Sequence, residues 1–344
     1  MLNSGKLTLL ILKGLVNSMN IELQKRCELF IENKEVLKKS TTVLSSHLYP
    51  VSSNIYTSKN VAVDVDKLQE CKKIIEAKTG FFSSFRGNGL LPILSLLALD
   101  ENPAEKMERA LALYKKLDKE FASSDFLPVN AMLLEDMVSE EKADEIINRG
   151  KSIYKLMKKE HPFITGSEDS IFAILLAFSD KKDEEIVADV EKIFKELKED
   201  DIETNCKQTV ALIFSLTEGD YLEKCNKLRD VLAELKRNDR KYSPYHEMGA
   251  LAGLVLLPVD THTMVQDMLE VDEFLSDKKD YGFLGFTKKE RLSHAAMILS
   301  GYYSNNNNFT VEVGSLVSVI ALIAVQEAAL FGAIAAGVVV GAAH

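Results

Sequence analysis

Apolar residues recur along most of the chain at the spacing of one helical face. In the stretch that begins near Ala104 they fall at Met107, Ala110, Leu113, Tyr114 and Leu117, the progression of an amphipathic helix. About forty residues later the same progression returns at Ile147, Gly150, Ile153, Tyr154 and Met157, and then again at Val187, Val190, Ile193, Phe194 and Leu197. Only Gly150 breaks the apolar character, and one slot stays aromatic in all three copies. A further copy arrives slightly early at Cys225, Leu228, Val231, Leu232 and Leu235. Another reads Val265, Met268, Val271, Leu275, and a degenerate early one reads Leu68, Cys71, Ile74, Ile75.

Before each of these helices lies a more apolar segment: 91–99, 129–134, 171–178, 209–216, 249–257 and 293–299. Asp100, Glu140, Asp180, Asp220, Asp260 and Ser300 mark their ends on the same period. Acidic residues and Ser suit the first turn of a following helix, where a carboxylate or hydroxyl meets unpaired backbone N–H groups. Ser139-Glu140-Glu141 and Asp183-Glu184-Glu185 carry this signal most clearly. The unit is therefore an apolar helix, a short turn, an amphipathic helix and a longer loop. One such hairpin cannot bury its apolar helix alone, but stacked neighbours can. The expected fold is all-α: helical hairpins stacked as an α-solenoid of the HEAT/TPR kind. The period defines the unit but not the superhelix, so an open curve and a closed toroid both satisfy it.

Three regions follow. Residues 1–80 hold N-terminal helices and a degenerate first repeat, 81–303 the hairpin array, and 309–344 an apolar Ala/Gly-rich helical segment. Ser304 to Asn308 read as the linker between array and tail, and Met19 is a candidate start. From Ser315 to Ala343 the strongly polar residues are Gln326 and Glu327 alone. This stretch approaches the length of a membrane span, and Gly337 and Gly341 would allow close helix packing. No Lys or Arg follows Arg291, and no Trp or Tyr frames the tail. A buried helix or homo-oligomer contact, and a membrane anchor, both stay open.

The formal net charge of −10 argues against a nucleic-acid binder, which needs a basic stripe to release counterions. Cys27, Cys71, Cys206 and Cys225 form no CxxC pair and fall in or beside helices, where a reduced Cys acts as a small apolar residue. That suggests a cytoplasmic setting.

The loops before the apolar helices should project from one end of the stack. Their polar residues would line one face: Arg86 and Asn88, Asp125 and Asn130, Glu168 and Asp169, Lys207, His246 and Glu247, Arg291 and His294. The periodic apolar positions Phe81, Phe121, Ile202 and Tyr242 sit beside them. In Phe85-Arg86-Gly87-Asn88-Gly89 the glycines would admit a ligand and Arg86 could hold a carboxylate or phosphate; the plain alternative is a loop turn with Arg86 paired to a neighbour. His246-Glu247 begins like HExxH, but Ala250 replaces the second His, so no zincin site forms. His246 is a candidate general base, or merely a residue in a first helical turn. His294, alone on an apolar helix, reads better as a satisfied core residue. The six histidines offer no metal-ligand pair, so neither metal nor cofactor is expected.

Three segments stand out together: Thr79-Gly-Phe-Phe-Ser-Ser-Phe-Arg-Gly-Asn88, Tyr242-Ser-Pro-Tyr-His-Glu-Met-Gly249 and the Ala-rich tail. In these the chain resembles an uncharacterised domain-of-unknown-function family of low-GC Gram-positive bacteria, over nearly its whole length. The resemblance implies a bacterial setting and brings no activity, cofactor or catalytic residue. The expectation is a non-enzymatic scaffold that binds a protein or peptide on the loop face. The rivals are an enzyme using Arg86 and His246, and a protein held at the membrane through its tail.

Overall fold

A computed structural model describes residues 19–305, apart from 44, 245–247 and 283–284 and the side chains at 168 and 305. The expected sites His246 and Glu247, the segment 309–344 and the extension before Met19 lie outside the described residues. Among the described residues the protein is all-helical. The fourteen α-helices are α1 (Ile21–Ser40), α2 (Leu48–Ser58), α3 (Val65–Lys78), α4 (Leu90–Ala98), α5 (Pro103–Glu120), α6 (Leu127–Glu135), α7 (Glu140–Glu160), α8 (Ser170–Leu176), α9 (Asp183–Glu196), α10 (Thr204–Ser215), α11 (Tyr221–Arg237), α12 (Met248–Val255), α13 (Thr261–Ser276) and α14 (Lys288–Asn305).

Odd-numbered helices are the amphipathic ones. Each buries one stripe, such as Met107, Ala110, Leu113 and Leu117 on α5 or Val187, Val190 and Ile193 on α9, and exposes charged residues on the other side. Even-numbered helices, apart from the longer α14, are short and buried almost all round, as on α6, α8 and α12. The apolar segments read from the sequence all lie on these helices. α2 is the exception that periodicity did not anticipate. It buries Ser52, Ser53, Asn54, Thr57 and Ser58 among its apolar residues, and small polar side chains hide a core helix from a hydrophobicity pattern. Ser300 does not end a helix as expected: α14 continues to Asn305, and the Ser300 hydroxyl donates back to the Ala296 carbonyl.

Each odd helix pairs with the even helix that follows it. Successive odd helices pack side by side, α1 on α3 through to α11 on α13. Even helices do the same, with the α6–α8 step marked by a hydrogen bond from Asn130 to Ser170. The last hairpin then rests on the first: α14 packs on α2 and α1, and α13 on α1. The N-terminal helices thus join the same succession of contacts as the rest.

Side-chain pairs show that neighbouring odd helices run parallel. Between α7 and α9 Arg149 meets Asp183 and His161 meets Glu191, and between α11 and α13 Glu234 meets His262 and Arg240 meets Asp272, so residue numbers rise together on both sides of each junction. The aromatic slot of the repeat lies in such junctions. Tyr114 receives Phe85 edge-on at 5.2 Å, Tyr154 receives Phe121 at 5.7 Å, and Phe194 stacks with His161 at 4.5 Å. Gly150 is the repeat's one non-apolar position for a steric reason. A Cβ there would lie 2.9 Å from the Ile174 Cα on α8, so only Gly lets α7 and α8 approach this closely.

Every loop that leads into an even helix lies at one end of the molecule, the loop end. The short connections into odd helices lie at the other, the turn end.

Candidate functional site

At the loop end, where the last hairpin meets the first, a cleft of about 360 Å³ opens. It is lined by Lys34 and Lys38 of α1, Ser46, His47 and Tyr49 around the start of α2, Asp280, Gly285 and Phe286 of the loop before α14, and Glu290.

Lys34 occupies a core position. The buried stripe of α1 runs Leu23, Cys27, Phe30, Lys34, Leu37, so an ammonium stands where the repeat elsewhere places an apolar group. Its side chain is 1% exposed. A charge so placed is costly unless it is paired and hydrogen-bonded. The Lys34 Nζ meets the Asp280 carboxylate at 2.9 Å and Glu35 at 3.1 Å, donates to the Lys279 carbonyl at 3.3 Å and lies 5.3 Å from the centre of the Tyr281 ring. Lys38 donates to the same Asp280 carboxylate at 2.8 Å. Burial acts to raise the Asp280 pKa, but the two ammonium groups outweigh it and hold the carboxyl below the usual range. That bond also raises Lys38.

The loop from α13 aims Asp280 by its backbone. Asp280 has φ of 71°, a left-handed conformation that Asp tolerates better than most residues. Gly285 folds back against it, where an added Cβ would fall 1.8 Å from the Asp280 carbonyl oxygen. Phe286 N–H then donates to that same oxygen at 2.7 Å.

Across the cleft, His47 Nδ1 lies 3.1 Å from Glu290 Oε1, and Thr287 N–H donates to the other carboxylate oxygen at 2.7 Å. Burial would raise Glu290, yet the bonds from His47 and Thr287 bring its pKa down to about 2. Phe286 lies edge-on to His47 at 5.7 Å and forms the apolar wall. The cleft therefore offers an ammonium that is 39% exposed at Lys38, an imidazole and an aromatic face.

None of the described loop-face residues singled out from sequence lines this cleft. Arg86 donates to the carbonyls of Glu76 and Thr79 and to the Thr79 hydroxyl, so its guanidinium closes the C-terminal turn of α3. Asn88 donates to Asp125 at 2.9 Å. Arg291 binds the fully buried Asp272 at 2.5 Å, and Arg240 reaches the same carboxylate at 2.6 Å. His294 is buried, its Nδ1 2.8 Å from the Tyr281 hydroxyl, among Phe30 and Phe286. It lies behind the cleft wall. Sequence reasoning missed Lys34, Lys38, His47, Asp280 and Glu290. A lysine at a core spacing of α1 was the available signal, but its partner is 246 residues away.

Fold and site together define an all-helical protein of paired helices with a polar cleft where its two ends meet. The chain belongs to DUF4003, a family of proteins of unknown function, whose model matches residues 33–328. No curated protein and no solved structure matches it. All four cysteines are free thiols, each buried. Among the described residues no helix is long and apolar enough to cross a membrane.

Proposed function

We propose that this protein is a non-enzymatic binding module, a stack of HEAT-like hairpins closed on itself, that takes a protein or peptide partner on its loop end. The observation that carries this reading is the seam cleft. At about 360 Å³ it is at the small end of the range for ligand sites, the size of one large side chain or a short acidic peptide turn. Lys38 and His47 would meet the partner's carboxylate, and Phe286 the apolar part beside it. The ion pairs already in place keep the site rigid before binding, which lowers the ordering cost of association.

An enzyme built on Arg86 and His246 is the rival reading. The engagement of Arg86 by the end of α3 weighs against it, because Nε and Nη2, the edge that would grip a carboxylate with two bonds, are taken up by Glu76 and Thr79.

A photoreactive side chain at Ser46, on the rim of the cleft, tests the proposal in cells. It should give a discrete protein adduct that Lys38→Glu abolishes, while the same group at Glu184 on the turn end gives none. Equal adducts at both positions, or an adduct indifferent to Lys38→Glu, would overturn it.

A further inference from the structure

The parallel run of the odd helices sorts charge between the two ends. First turns carry Glu22, Asp66, Glu105, Glu140 with Glu141, Asp183 to Glu185, and Glu223. Last turns carry Lys38 with Lys39, Lys78, Lys119, Lys158 with Lys159, Lys195, and Lys236 with Arg237. Each choice complements its own helix dipole. Because the helices are parallel, the choices add up to an acidic turn end and a loop end whose rim of cations is interleaved with fewer exposed carboxylates, among them Glu76, Asp118 and Glu160. Lys39, Lys119, Lys159, Lys236 and Arg237 are exposed.

The most exposed large apolar side chains stand on that rim. Phe81 is 79% exposed, Phe82 96% and Phe163 99%. None is needed for packing. The aromatic slot next to α3 is filled by Phe85, and the one next to α7 by His161. Phe81 was expected to be the counterpart of Phe121, but the loop after α3 is longer and Phe85 takes that place, leaving Phe81 and Phe82 outside. These two rings meet edge-on at 5.1 Å. Phe163 projects from the loop two odd helices along, roughly 20 Å away at ordinary helix spacing. The rings are separate knobs at loop tips, not one contiguous groove. Glu76 and Lys78, the latter paired with Glu108, precede the first pair in the chain, and the exposed Lys158, Lys159 and Glu160 precede the third ring.

We infer that the loop end docks on an anionic lipid bilayer. Phe81, Phe82 and Phe163 enter the interfacial region, and the surrounding lysines meet the headgroups. Isolated rings suit a fluid surface that yields to each of them, and lysine stems can lie along the apolar layer with their ammonium groups in the headgroups. Juxtaposed basic charge adds attraction that falls with salt. The bilayer would contact the loop-end rim.

Co-sedimentation of the full chain with vesicles of phosphatidylcholine, alone or mixed with phosphatidylserine, tests the inference. Binding to the mixed vesicles should exceed binding to the neutral ones and weaken as salt is raised. Replacing Phe81, Phe82 and Phe163 by Ser should lower the partition coefficient by about tenfold or more per ring. Leu222→Ser, at the acidic end, should leave it unchanged. Absence of binding to anionic vesicles overturns the inference, as does binding of the triple variant equal to that of the unaltered chain. A protein adduct from a photoreactive group at Phe163, without vesicle binding, would give the rings to a protein partner and overturn the lipid assignment.

Discussion

His294 makes the stability of this protein depend on pH over a defined window. The imidazole is buried between α14, Tyr281 and the rings of Phe30 and Phe286. Burial brings its pKa down from 6.5 to about 3; Glu290 opposes that fall, and the His47 and Lys34 charges add to it. Below pH 6.5 the unfolded chain takes up a proton at this site that the folded chain refuses until about pH 3. The unfolded state is then favoured progressively, and stability falls with pH throughout that window. At about 1.36 kcal/mol per pKa unit, the full effect approaches 5 kcal/mol, and about 2 kcal/mol should be lost between pH 7 and pH 5. Glu290 acts in the same direction only lower down, since its depressed carboxyl supplies stability that is lost as pH falls from 4.5 through about 2. Urea denaturation followed by helical circular dichroism at pH 7 and pH 5 measures the loss. The comparison is with a variant carrying His294→Phe and Tyr281→Phe, which removes the imidazole and its hydroxyl partner together while keeping ring volume. The variant should lose about 2 kcal/mol less than the unaltered chain between the two pH values. Equal losses in both, within about 0.5 kcal/mol, would refute the assignment.

Other expectations follow from the same contacts. Asp272→Ala leaves the guanidinium groups of Arg240 and Arg291 facing a buried void and should cost about 3–5 kcal/mol in a urea titration; a loss below about 1 kcal/mol would mean that the three groups do not hold α13 and α14 together. Gly150→Val drives a side chain into the Ile174 backbone and should cost about 2 kcal/mol, despite its better helix propensity. Arg86→Ala removes the donors that close α3. Amide exchange should quicken in the last turn of α3 and stay unchanged in α9, with a stability loss of about 1–3 kcal/mol.

Much of the fold was legible because it is written locally. Residues three and four apart meet on one helix face, so Met107 to Leu117 and their later copies announced the odd helices. Gly150 already stood out in the periodic pattern, and a close approach of α8 explains it. The aromatic slot at Tyr114, Tyr154 and Phe194 was also visible, though not the rings that fill the space beside it. The site was less legible. Arg86, Asn88 and Arg291 have the right chemistry for a binding face, but their hydrogen bonds go to α3, Asp125 and Asp272. A polar residue in a loop looks the same in sequence whether it faces a ligand or caps a helix.

The sequence by itself determined the helix pairs, the burial pattern of the odd helices and the acidic and basic ends of α1 to α11 among them, because all of these are set within a few turns of chain. The tertiary structure decided where the units meet. The contact of α13 and α14 with α1 and α2 joins residues up to 246 apart in the chain, which no local pattern encodes. That contact brings Asp280 to Lys34 and Glu290 to His47 and turns a misplaced lysine into one wall of a cleft.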